Sequence, residues 1–143
     1  MSNAPKEMTY EEIAIGDHAS FTVIVTEELV DTFAKMSGDM NPLHMDETYA
    51  RTTPFGQRIA HGMIAGSLFS RLVGMYLPGR YAVYLSQMLR FHEPITMGME
   101  VEIRGEVTHK TDSAKTITVR TIAEETKKKT LLVSGEAMIK LLK

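Results

Sequence analysis

With 143 residues, 43% hydrophobic and 24% charged, the chain can build one domain with a real core and is too short for two ordinary ones. A formal net charge of −2 offers no positive field to phosphate backbones, so nucleic-acid binding is not expected. Cysteine is absent, which excludes disulfides, thiolate nucleophiles and cysteine metal sites, and no apolar run approaches the roughly 20 residues that span a bilayer.

The expectation is a single domain over residues 1–143, with 1–8 as a loose leader. Met1 to Lys6 lacks the apolar stretch of a signal peptide, so the expected location is cytoplasmic, with no membrane partner. From His18 to Val25, the residues Phe21, Val23 and Val25 alternate with Ser20, Thr22 and Ile24, as in a half-buried strand. Thr26 is placed to cap a following helix, with Glu27 and Glu28 in its positive first turn. Leu29, Val30, Phe33 and Met36 recur at helical spacing, and Gly38 ends that helix at Ser37. Asp39 to His44 reads as a loop, because Asn41-Pro42 does not continue a helix. Asp46 can cap one or two turns through Tyr49 to Arg51, and Thr53-Pro54-Phe55-Gly56 is a further turn.

Ile59 to Leu77 is nearly all apolar or small, which predicts a helix buried on every side. Gly62, Gly66, Ser70 and Gly74 fall four apart and form a side-chain-poor stripe. Helical glycine is unfavourable by roughly 1 kcal/mol against alanine. The stripe therefore implies either the close approach of a neighbouring element or a slot for an extended ligand. After Pro78-Gly79 the chain reads as four antiparallel strands. Tyr81, Val83 and Leu85 alternate in one that runs on toward Phe91. In the next, Val101, Ile103, Gly105, Val107 and His109 share a face. A third covers Lys115 to Ala123, and in the fourth Leu131, Val133, Ala137 and Ile139 point one way. Lys127-Lys128-Lys129 sits between strands and reads as a solvated turn. The expected class is α+β, an antiparallel β-sheet wrapped around a long central α-helix.

Chemistry concentrates in Ser37-Gly38-Asp39-Met40-Asn41-Pro42-Leu43-His44. A carboxylate and an imidazole five residues apart on a proline-shaped bend make a general acid/base pair able to polarise one water. The same two residue types are also common in ordinary turns. Asn41 is suited to hold the loop through its amide. His61-Gly62 stands near the start of the buried helix, where unpaired N–H groups can stabilise an oxyanion and Gly62 permits close approach. His61 reads as a capping or packing residue, and Ser70 as either a small residue or a hydrogen-bond partner for the loop. His18, His92 and His109 read as structural or surface residues. Asp39, His44 and His61 form an alternative ligand set for zinc or iron, although the five-residue spacing is not a ligand signature.

The stretch Phe33 to His44, with Ala50 six residues on, closely resembles the signature of (R)-specific enoyl-CoA hydratases, the MaoC-like or hydratase 2 group. Phe55-Gly56, Ile59-Ala60-His61-Gly62-Met63, Arg90-Phe91 to Pro94 and Gly98 are also similar to that family. Met36 departs conservatively, standing where the signature usually has a smaller or branched aliphatic residue. The resemblance implies a hot-dog fold and a homodimer with active sites near the dimer interface. It implies hydration of trans-2-enoyl-CoA to (R)-3-hydroxyacyl-CoA with no metal or organic cofactor. Asp39 and His44 would then be the catalytic dyad, and the Gly62 N–H would bind the thioester oxygen. Ser70 matches a position that supports the aspartate, and the small-residue stripe would border an acyl tunnel. The alternatives are dehydration of a 3-hydroxyacyl or beta-hydroxy dicarboxylyl thioester, on CoA or a carrier protein, and a non-catalytic acyl-thioester-binding domain.

Overall fold

A computed structural model describes residues 3–143. Strand β1 (His18–Ile24) is followed by three helices, α1 (Glu27–Ser37), α2 (Pro42–Met45) and α3 (Glu47–Arg51). The helix α4 (Met63–Arg71) runs directly into a π-turn, Leu72–Tyr76. Strands β2 (Ala82–Phe91), β3 (Glu100–Thr111), β4 (Thr116–Glu125) and β5 (Leu131–Leu141) complete the chain. All five strands join one antiparallel sheet in the order β1-β3-β4-β5-β2. No helix among the described residues is long and apolar enough to cross a membrane.

The sheet needs a cover for its apolar face, and the α4 segment supplies it. Ile64, Ala65, Phe69 and Leu72 pack with Val101, Ile103, Ala123 and Val133. Beyond the π-turn, Val73 and Leu77 join Val107, Val119, Ala137 and Ile139 in a second cluster, which Tyr10 and Ile13 close. Alternation in β3 holds as expected from Val101 to Val107, all buried at every second position. A bulge between Val107 and His109 then leaves His109 exposed.

Four expectations are corrected. The central helix begins at Met63 rather than Ile59, because Ile59 bridges Thr96 and the Ala60 N–H donates to Ile95 O at 2.7 Å. It is not buried all round, since Met63, Ser67, Ser70 and Arg71 face outward. In β2 the face order is reversed: Val83 and Leu85 are exposed while Tyr84 is half-buried opposite Ile139. The leader is held from Lys6, whose N–H donates to Met75 O at 2.9 Å in the π-turn, while residues 1 and 2 lie outside the described range. The π-turn leaves carbonyls that need donors, and the leader brings them.

The small-residue stripe is explained by close approach at two of its positions. A Cβ on Gly62 would lie 2.7 Å from the Phe91 ring, and one on Gly66 would lie 3.1 Å from Leu89. Both neighbours belong to β2, whose end therefore lies against the start of α4. At Gly74 nothing lies within 4 Å, and the structure gives that glycine no packing reason.

Candidate active site

Thr26 caps α1 by accepting from the Leu29 N–H, and Gly38 ends it in the left-handed region with φ of 79°. The chain then turns through a series of local bonds. Ser37 Oγ accepts the Asp39 N–H, Asp39 Oδ1 accepts the Asn41 N–H, and Asn41 Oδ1 accepts the Leu43 N–H. The segment expected to be loop throughout closes into α2 at Pro42. Proline is favoured at a helix's first position, where its missing N–H has no partner to lose. Asn41 Oδ1 thus caps the helical turn that carries His44.

His44 Nδ1 donates to Ile59 O at 2.8 Å. A carbonyl only accepts, so the proton sits on Nδ1 and Nε2 is left with a free lone pair. His61 is 2% exposed and donates from Nε2 to the Asp39 main-chain O at 3.0 Å. Its ring lies 4.0 Å from that of His44 and 4.9 Å from that of Phe33, centroid to centroid. One ring nitrogen of each histidine and a carboxylate oxygen of Asp39 all lie within 4.8 Å of one another. One water making two bonds of about 2.8 Å spans a gap of that size.

The same three residues are the ligand set weighed from the sequence. The His61 nitrogen bonded to Asp39 carries a proton, however, and its other nitrogen is buried with no partner. A cation held by Nε2 would have to break the bond to the Asp39 carbonyl.

Gly62 precedes α4 with φ of −58° and ψ of −31°. Among the described residues, neither its N–H nor that of Met63 has an acceptor in the chain. These are the orphan donors of a helix N-terminus, with the dipole's positive end behind them. They open on a cavity of about 440 Å³ whose polar lining includes Asp39, His44 and His61. Phe55, Ile59, Met63, Phe91, Ile95 and Val133 make its apolar walls. The site is open in the single chain, with the Asp39 side chain 49% exposed.

Ser70 is not brought to the site. It lies eight residues beyond Gly62, about 12 Å along the helix axis. Its side chain is exposed and does not line the cavity. Support for Asp39 from Ser70 is therefore not reached within one chain. Two participants were not read from the sequence. His92, expected to be structural or superficial, lines the cavity and sits 2.7 Å from Ser134 Oγ. Arg58 donates from Nε to His44 O at 2.6 Å and pairs with Asp31 at 3.3 Å and Glu27 at 3.8 Å. Its one sequence signal is that no other arginine or lysine occurs between Arg51 and Arg71. A second concavity, of about 510 Å³, lies over β1, β3 and β4, but its charges are paired with each other, Arg104 to Glu102 and Arg120 to Glu106.

One helix laid on a five-stranded antiparallel sheet is the hot-dog fold. The chain belongs to the MaoC-like domain family, whose model matches residues 12–129. It is 40% identical over 134 residues to an (R)-specific enoyl-CoA hydratase of Aeromonas caviae, covering 94% of this chain and 99% of that one. It is 35% identical to a 3-hydroxybutyryl-CoA dehydratase of Methylorubrum extorquens, covering 94% and 84%. Among solved structures, the unliganded R-hydratase PhaJ1 of Pseudomonas aeruginosa superposes with a TM-score of 0.90 at 36% identity, covering 96% of this chain and 87% of that one.

Proposed function

We propose that the chain adds water across the double bond of a trans-2-enoyl-CoA to give the (R)-3-hydroxyacyl-CoA, and that the whole of 1–143 acts as one domain. The observation that carries this is the meeting, in one cavity, of a water-sized acid/base gap at Asp39 and His44 with the free Gly62 N–H. The thioester oxygen accepts from Gly62, which draws electrons from the double bond and makes Cβ electrophilic. The water between Asp39 and His44 attacks Cβ. An O–H bond breaks as the O–Cβ bond forms, and the proton goes to His44 Nε2, the one ring position with a free lone pair. The electron pair of the double bond reaches the thioester as an enolate. The imidazolium then returns a proton to Cα, restoring the carbonyl and the resting His44. Asp39 holds the second O–H and orients the attack. The reverse sequence dehydrates a 3-hydroxyacyl-CoA at the same groups, in keeping with the dehydratase relative.

The test is loss of the conjugated-thioester absorbance on adding crotonyl-CoA and longer enoyl-CoAs, with chiral analysis of the product. No loss at any chain length would sink the reading, and release of free CoA would make the chain a thioesterase. Asp39→Asn with full activity would sink the site assignment while leaving the family untouched.

The active unit is proposed to be a homodimer. Strand β2 is a sheet edge, and Val83, Leu85, Met88 and Phe91 on it are all at least 37% exposed, as is Met138 on neighbouring β5. A long apolar edge left uncovered is an aggregation template, and a second copy covers it. Sedimentation at micromolar concentration checks this, with a monomer as the contrary result. The acyl-CoA substrate class supports a setting in cytoplasmic fatty-acid metabolism.

A further inference from the structure

Among the described residues, every hydrogen bond that ties residues 39–44 to a distant part of the chain is made to residues 58–61. His61 Nε2 donates to Asp39 O at 3.0 Å, and Arg58 Nε donates to His44 O at 2.6 Å. Ile59 O accepts from His44 Nδ1 at 2.8 Å, and the Ile59 N–H donates to Leu43 O at 3.4 Å. The next residue after this stretch is Gly62. One short segment therefore grips both members of the acid/base pair by their carbonyls and leads straight into Gly62, which lines the same cavity.

We propose that Arg58 and His61 are positioning residues. They act as a two-point main-chain clamp that sets the distance between the Asp39/His44 pair and the Gly62 N–H. This rests on the hydratase reading and specifies how that site is held. The choice of side chains supports it. The rings of Phe33 and His44 pack against His61 at 4.9 and 4.0 Å, contacts that a phenyl ring at this position could also make. An imidazole there leaves Nδ1 buried without a partner, a cost that a phenyl ring would avoid. What the imidazole adds is the Nε2–H bond to Asp39. At position 58 the planar guanidinium reaches His44 O, Asp31 and Glu27 from one fork, which a lysine cannot do. With its side chain only 13% exposed, Arg58 is packed in place between α1 and the pair.

The experiment compares His61→Phe, His61→Gln, Arg58→Met and Arg58→Lys with the full-length parent on crotonyl-CoA, with melting curves for each. His61→Phe and Arg58→Met should lose about 10- to 100-fold in kcat with KM changed by less than about 3-fold, because misplacement by around an ångström is felt in the transition state. His61→Gln, which keeps an N–H donor, should recover more of kcat than His61→Phe. Arg58→Lys should stay well below the parent. Equal kcat for His61→Phe and His61→Gln, or retention of parental kcat by Arg58→Met, would overturn the clamp. Should His61→Phe fail to fold, the Arg58 pair decides the matter alone. Nitrogen NMR of the His44 ring gives a readout free of turnover. The Nδ1–H tautomer should weaken in Arg58→Met, and an unchanged spectrum overturns the proposal. A parent inactive on every thioester would instead defeat the hydratase reading, and the NMR comparison would still decide the clamp.

Discussion

The two ends of the central helical segment are finished in opposite ways. At the far end the π-turn is sewn up: Leu77 N–H donates to Leu72 O, Gly79 N–H to Val73 O, and Lys6 N–H to Met75 O, each at 2.9 Å. Tyr10 and Ile13 then close the apolar cluster over it. At the near end, the Gly62 and Met63 N–H groups have no acceptor among the described residues, and Asp39 stands half exposed beside them. Unpaired donors are unfavourable for folding and useful for binding an oxyanion. On the proposed function, the contrast gives stability to the far end and chemistry to the near end. Substitutions at one should move the melting temperature, and at the other kcat.

The largest effect should follow from His44→Gln. Loss of the ring nitrogen proposed to take the water's proton should lower kcat by about 10²- to 10⁴-fold, with a small change in melting temperature. A comparison at Gly62 sharpens the assignment further. Its φ of −58° suits proline, and its N–H has no acceptor among the described residues, so Gly62→Pro removes the donor at a φ that proline adopts. Both Gly62→Pro and Gly62→Ala place a Cβ against the Phe91 ring, so that steric cost is common to both. The proline variant should be slower than the alanine one by about 10²- to 10³-fold in kcat. Equal rates would remove the oxyanion role from Gly62.

The near end was the more legible of the two. Asp39, His44 and Gly62 are proposed for the chemistry on residue type and on the family signature, both of which are read locally along the chain. The cap at Thr26, the stop at Gly38 and the alternation from Val101 to Val107 are local patterns that the structure keeps. The groups that hold the site are of another kind. Arg58 meets His44 across 14 residues and His92 meets Ser134 across 42, and such contacts leave no periodic trace. The face of β2 was misread for a different reason. A period of two shows that Val83 and Leu85 share a side, but not whether that side meets the core or a partner chain. The start of α4 was placed early because Ile59 and Ala60 continue the apolar run. Their backbones are instead bonded to Thr96 and Ile95.

At the far end, Lys110 donates to the carbonyls of both Tyr10 and Ile13. Lys110→Met keeps the stem but removes both donations, leaving Tyr10 O with the Ile13 N–H alone, so it should destabilise by about 1–3 kcal/mol in denaturant titration. With kcat unchanged, the division between the two ends holds; a parallel fall in kcat at full folding would break it.

The smallest effect belongs to Tyr10, whose hydroxyl donates to Asp112 at 2.7 Å. Burial, and then the neighbouring Asp112, push its pKa from the usual 10.0 to about 12. Below pH 10 the phenol is neutral folded or unfolded, and its contribution to stability is fully present. Between pH 10 and about 12 the unfolded chain gives up a proton that the folded chain keeps, so stability falls as pH rises through that window. Tyr10→Phe should therefore melt lower at neutral pH for want of the bond to Asp112, and its alkaline decline should be shallower than the parent's. Some decline should persist, because burial also pushes Tyr84 up to about 12. Identical slopes for parent and variant in melting temperature against pH would show that Tyr10 is not held neutral at the far end.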